Sequence, residues 1–146
     1  MPRTVLVVED GYNDLELTLL ALEQMSLANP VIAVDSGPAA LDFLAKLGPW
    51  SDDRSPLPAF ILLDLNLRLM SGLQVLDMIR AHPVWRRIPV VMVSSSSLGS
   101  DIARAYDRGA NAYVIKPMEF ADYVEAIRTT AAMWARLNVS PLPLAA

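Results

Sequence analysis

Glu9-Asp10, Asp64 and Lys116 each stand where a short apolar run stops. Val5-Leu6-Val7-Val8 leads into the acidic pair, Phe60-Ile61-Leu62-Leu63 into Asp64, and Tyr113-Val114-Ile115 into Lys116-Pro117. A fourth run, Val90 to Val93, ends in the hydroxyl series Ser94 to Ser97. Brought together, three carboxylates repel one another and attract a hard divalent cation. They supply too few ligands for calcium and suit Mg²⁺, which keeps several waters and accepts a phosphoryl oxygen. Lys116 adds fixed positive charge for an incoming anion, and Ser94 a hydroxyl donor. A nucleophilic carboxylate, a cation, a lysine and a hydroxyl form a set suited to phosphoryl transfer onto Asp64. Taken singly, each residue has a plainer role: a strand-end acid can cap a helix, and a lysine can lie solvated over apolar surface. Their joint arrival at strand ends carries the chemical reading. The Lys116-Pro117 bond is a candidate cis peptide, because X-Pro lowers the cis penalty to ~0.5–1 kcal/mol, and a fixed turn would aim the ammonium at the acids.

The elements that must position this set alternate along the whole chain. Apolar runs of three or four residues bounded by charge and turn residues predict buried parallel strands at Val5 to Val8, Val31 to Val34, Phe60 to Asp64, Val90 to Val93 and Tyr113 to Ile115. Between them lie helical patterns. The first carries Leu15, Leu19, Leu22 and Met25, with Asn13 or Asp14 as cap. The second opens at Ser36-Gly37-Pro38, and the third follows Ser71-Gly72. The fourth contains Ile102, Ala105 and Tyr106, capped by Ser97 or Ser100. The last runs from Phe120 through Val124, Ile127 and Ala131 to Trp134 along one face. Gly48 to Pro58 is a loop. Strict alternation predicts an α/β, doubly wound, five-stranded parallel sheet of order 2-1-3-4-5. That order sets strands one and three side by side, with Asp10 and Asp64 facing each other at the switch point where open α/β sheets place their sites.

Composition narrows the function. With 146 residues and 53% hydrophobic content the chain has room for one domain with a substantial core. No apolar stretch approaches the ~20 residues of a membrane span. Absence of cysteine removes disulfides and thiolate metal sites and fits a cytoplasmic location. The net charge of -4, without a basic tract, argues against nucleic-acid binding. Arg80, Arg86 and Arg87 read as a solvated helix end and turn, and the single histidine, His82, as a turn residue before Pro83. Neither a Gly-x-Ser-x-Gly elbow nor a glycine-rich phosphate loop is present.

Four segments together resemble the receiver domains of two-component response regulators. They are Val-Leu-Val-Val-Glu-Asp at 5–10, Ile-Leu-Leu-Asp-Leu-Asn-Leu at 61–67, Ile-Pro-Val-Val-Met-Val-Ser at 88–94 and Gly-Ala-Asn-Ala-Tyr-Val-Ile-Lys-Pro at 109–117. The resemblance implies a flavodoxin-like three-layer sandwich, with a receiver over 1–136, a C-terminal arm over 137–146 and no output domain. It implies that Asp64 is the phosphoacceptor, served by a sensor histidine kinase or a phosphotransfer protein. Asp10, Asp64 and the backbone carbonyl of Asn66 would ligate Mg²⁺, with Glu9 acting through a water. Ser94 and Tyr113 match the switch pair, Ser95 a small residue beside the phosphoryl site, and Asn66 and Ser96 positions that tune hydrolysis. Phosphorylation would draw Ser94 and Lys116 toward the new oxygens, admit Tyr113 and repack the fourth helix and fifth strand for a downstream partner. A homodimer is expected, with Trp134 and the proline-containing tail at its interface, although most of the Phe120–Trp134 stripe reads as core. The Asp-Leu-Asn-Leu motif and the long 48–58 connection resemble stand-alone receivers paired with phytochrome-type kinases. One departure stands out: Arg68 occupies a position where many receivers carry proline.

The resemblance makes the chain a phosphoacceptor signalling protein rather than an enzyme, limited to self-catalysed phosphotransfer and autodephosphorylation. Three rivals remain open at this point. An aspartate-nucleophile phosphatase would need a second Asp as general acid where Asn66 stands. A phosphorylation-independent adaptor would not need Asp64. A flavin-binding protein would meet repelling acids at 9–14.

Overall fold

The computed structural model describes residues 2–142. Five strands, β1 (Val5–Val8), β2 (Val31–Val34), β3 (Phe60–Asp64), β4 (Val90–Ser94) and β5 (Ala112–Ile115), pair in parallel in the order β2-β1-β3-β4-β5. Every strand expected from its apolar run is present. Side-chain alternation divides the core in two. Val5, Val7, Phe60, Leu62, Val91 and Val93 face helices α1 (Tyr12–Gln24) and α5 (Phe120–Ala131). Leu6, Val8, Ile61, Leu63, Val90 and Met92 face α2 (Gly37–Ala45), α3 (Gly72–Ala81) and α4 (Gly99–Asp107). Burial on both faces is why β1, β3 and β4 read as continuous apolar runs and not as alternating ones, while the edge strands β2 and β5 are only partly buried.

Helix starts follow local chemistry. The Ser36 hydroxyl accepts from the Ala39 N–H at the start of α2. Ser71 and Gln74 form a reciprocal capping box at α3. Two expected caps are corrected. Helix α1 starts after Gly11, without a side-chain cap, and both Asn13 and Asp14 lie within its first turn. The Glu9 carboxylate turns the chain there by accepting the Gly11 N–H at 3.1 Å. Helix α4 starts after Leu98, with Ser100 inside it, because the Ser96 hydroxyl shapes the entry: it accepts from the Leu98 N–H and donates to Asp101.

Three other expectations change. Arg80 is no solvated residue: its guanidinium donates to the carbonyls of Gly109, Arg86 and Ile88 and to the Asn111 side chain, clasping α3 to the β4 and β5 entries. Within the Gly48 to Pro58 connection, Gly48–Trp50 forms a 3₁₀ turn. At the far end, α5 continues as a π-helical segment, Ala132–Leu137. Leu142 is buried, and Arg3 donates to its carbonyl. The tail is therefore folded back as far as 142, while Pro143 and the rest of the expected arm lie outside the described residues. Along α5, Tyr123, Val124, Ile127 and Ala131 are core, but Phe120 is exposed. His82 does take its turn role, accepting from the Val84 and Trp85 N–H groups and stacking on the Trp85 ring. No helix among the described residues is long and apolar enough to cross a membrane.

Candidate phosphoacceptor and metal site

Register and parity assemble the site. Val8 pairs with Leu63, so Glu9 and Asp64 come next on neighbouring strands, both on the α1/α5 face. The Lys116 N–H donates to the Ser94 carbonyl at 2.8 Å, extending the β4–β5 ladder by one residue. Lys116 shares the parity of Val114, which packs into the same layer. Strand geometry alone thus turns the ammonium toward the acids. The described peptide bonds include no cis bond, so Lys116-Pro117 is trans and the expected cis turn plays no part.

The convergence is tight. Lys116 Nζ lies 2.7 Å from Glu9 Oε1, 2.7 Å from Asp14 Oδ2 and 3.4 Å from Asp64 Oδ2, with its side chain only 8% exposed. Glu9, Asp10 and Asp64 each offer a carboxylate oxygen, all within 4.8 Å of one another. Asp64 Oδ1 accepts the Asn66 N–H at 3.2 Å. Burial pushes the Asp64 carboxyl up to about 7, and the facing Glu9 carboxylate pushes the same way; Lys116 and the Asn66 N–H only partly oppose them. Burial also works to lower the Lys116 pKa, but the hydrogen bonds it donates to Asp14 and Glu9, with the charge on Asp64, hold it above the usual lysine range. The two shifts agree: the lysine's charge is committed mostly to Glu9 and Asp14, leaving Asp64 under-compensated. Under-compensated hard oxygens are the donor set a divalent cation fits.

Asp14 is the residue the sequence did not reveal as part of the site. It read as a helix cap, and only the excess of acids in 9–14 hinted at more. Thr18, one turn along α1, bonds the Asp14 carbonyl and the buried Tyr123 hydroxyl, so α1 and α5 fix the lysine's second partner.

The remaining site residues sit at the end of β4, on the β4–α4 loop, in β5 and on the turn after β3. Ser94 is fully buried, and its hydroxyl accepts the Ser96 N–H at 3.0 Å. The Tyr113 hydroxyl donates to the Ser96 carbonyl at 2.9 Å. Ser95 and Asn66 are exposed. Gly72 packs against the end of β3 so closely that a Cβ there would lie 2.2 Å from the Asp64 carbonyl oxygen. Beneath Glu9 and Asp64 lies a small internal cavity of about 10 Å³, lined also by Thr18, Tyr123 and Ile127, with room for barely one water.

A family profile described as "Response regulator receiver domain" matches residues 5–128. The chain belongs to the response regulator receiver family. Receiver domains are signalling modules rather than ordinary enzymes. Response regulator Rcp1 of Synechocystis is 33% identical over 144 residues, covering 99% of this chain and 95% of its own length. A crystal structure of Rcp1 in its Mn²⁺-bound form superposes with a TM-score of 0.87, covering 96% of this chain and 99% of that one. The phosphorylated cyanobacterial phytochrome response regulator RcpA gives 0.89 at 30% identity, covering 97% and 99%. The bacteriophytochrome response regulator RtBRR is 47% identical with a TM-score of 0.77, covering 97% and 85%. Of these receivers, one is Mn²⁺-bound and another is phosphorylated.

Proposed function

We propose that Asp64 accepts a phosphoryl group from the phosphohistidine of a sensor histidine kinase, of phytochrome type, and so switches a partner-binding face. The observation that carries this is the meeting of Glu9, Asp10, Asp64 and Lys116 at one sheet edge. An Asp64 carboxylate oxygen attacks phosphorus, the P–N bond breaks, and the imidazole nitrogen leaves with the electron pair. Mg²⁺ held by Asp10, Asp64 and the Asn66 carbonyl, with Glu9 through a water, would neutralise charge on the phosphoryl oxygens. Lys116, whose Nζ lies 3.4 Å from Asp64 Oδ2, would meet a phosphoryl oxygen.

Ser96 joins the two switch residues. Its N–H holds the Ser94 hydroxyl, its carbonyl holds the Tyr113 hydroxyl, and its own hydroxyl holds Asp101 of α4. When Ser94 turns toward a phosphoryl oxygen, the Ser96 bond breaks, and the loop gripping Tyr113 and α4 must move. A downstream protein or phosphotransfer protein reading the α4–β5 face would sense that change. Two copies would pair through Trp134 and the exposed Leu137 and Val139.

Incubation with candidate sensor kinases, labelled ATP and Mg²⁺, read by native mass spectrometry, tests the proposal. Wild type is expected to gain one phosphoryl group and Asp64→Asn none, a loss of more than about 100-fold in labelling. Equal labelling of the variant would remove Asp64 from the role. An unlabelled wild type with every kinase and with acetyl phosphate would leave the adaptor reading. Monomer-only spectra would remove the pairing.

A further inference from the structure

The loop after β3 contains a contact that the proposed cation site does not require. The Asp10 Oδ2 atom accepts two hydrogen bonds from one residue: the Arg68 backbone N–H at 2.9 Å and the Arg68 Nε–H at 3.4 Å. Asp10 is mostly buried, with its side chain 14% exposed, whereas the Arg68 side chain is 82% exposed. A proline at 68 could make neither bond, having no N–H and no guanidinium. The loop is shaped around this contact. The Met70 N–H bonds the Arg68 carbonyl at 2.7 Å, a three-residue turn centred on Leu69. Leu69 takes a φ of 69° and is 89% exposed, an unfavourable conformation for a branched residue that no burial rewards. Beside it lies an open groove of about 280 Å³, lined by Asp35, Ser36, Arg68 and Leu69.

Resting on the proposed cation site, we propose that Arg68 is a positioning residue for Asp10 and an internal competitor of the divalent cation. Its guanidinium holds Asp10 Oδ2, one of the two oxygens this carboxylate has to offer a cation. Binding of Mg²⁺ therefore displaces the side chain from Asp10, and the groove beside Asp35 gives it room to swing. The backbone N–H stays, because a carboxylate oxygen accepts more than one bond, and keeps Asp10 aimed at Asp64. The chain thereby sets a higher Mg²⁺ threshold for the site than its acids alone would give.

Calorimetric titration of the full chain with MgCl₂ at low and high ionic strength tests this. Arg68→Ala and Arg68→Gln are expected to tighten Mg²⁺ binding about threefold, the size of an exposed ion pair. The gain should shrink as salt screens the guanidinium in the wild type. A residue that merely held the loop in shape would do the opposite, so unchanged or weaker binding in both variants overturns the proposal. Asp10→Asn is run alongside. If it binds Mg²⁺ as the wild type does, or the wild type binds none at millimolar metal, the cation site itself fails and the competition falls with it. If Asp10→Asn loses binding while the Arg68 variants match the wild type, only the competition is lost.

Discussion

Lys116→Met is expected to destabilise the metal-free protein by about 3–5 kcal/mol, the usual cost of removing one partner from a buried ion pair. The reason is local arithmetic of charge. One ammonium serves Glu9, Asp14 and Asp64, and Glu9 and Asp64 are almost wholly buried. Without it, carboxylates that already repel must either protonate or draw in water. The loss should lower the thermal midpoint by about 10 °C for a chain of this size. It should diminish as pH falls and the acids become neutral. A double variant adding Glu9→Gln should cost less than the two single losses summed, because the acid no longer needs the lysine. Urea unfolding in EDTA measures all three. A Lys116→Met penalty under about 1 kcal/mol would mean that the lysine reaches solvent and holds nothing together.

Asp64→Asn is expected to stabilise the metal-free protein above neutral pH, although it abolishes the proposed chemistry. Burial and the neighbouring Glu9 raise the Asp64 pKa to about 7 in the folded state, against 3.8 for the free group. Between those values the folded state binds a proton that the unfolded chain has released. Stability contributed by this group is therefore complete below about pH 4 and falls as pH rises toward 7. Three pH units correspond to on the order of 4 kcal/mol. Other carboxylates, such as Asp53 with its pKa lowered by the Ser55 N–H, pull in the opposite sense. The informative quantity is thus the wild type minus Asp64→Asn difference across pH 4 to 8 in EDTA. It should open from near zero at acid pH to a few kcal/mol in favour of Asn at pH 8. Saturating Mg²⁺ should reverse it by binding the wild type alone. A flat difference would show that Asp64 is well solvated or fully paired.

The fold was legible because the three central strands are buried on both faces and the two half-buried edge strands are still apolar throughout, so the five runs did not read as alternating hairpin strands. Their alternation with helical patterns then left few topologies, and the observed order is the expected one. Glu9, Asp10, Asp64 and Lys116 were legible for the same reason: each follows a strand whose register is fixed. Residues on turns and helix ends were not. Asp14 read as a cap because a first-turn acid and a cap look alike until α1 is placed against β5. Its pairing with Lys116 depends on the docking of α1 on α5, which no local pattern encodes. Arg80 read as solvated because its four acceptors are three carbonyls and a side-chain amide with no local pattern, two of them 29 and 31 residues away. The α4 start was misread because a hydroxyl two residues before the N-cap, Ser96, does what Ser97 or Ser100 was expected to do. Arg68 was visible as a departure from the family pattern, yet its partner Asp10 lies 58 residues away.

All of this turns on one cup holding both cation and phosphoryl group. A crystal structure of the chain with Mg²⁺ and beryllium trifluoride, a tetrahedral stand-in for a phosphoryl group, tests that directly. The expected density is an adduct on a carboxylate oxygen of Asp64, with the cation bound by Asp10, Asp64 and the Asn66 carbonyl, and Lys116 Nζ in contact with a fluorine. An adduct on another carboxylate, or a cation bound away from Asp10 and Asp64, would contradict it.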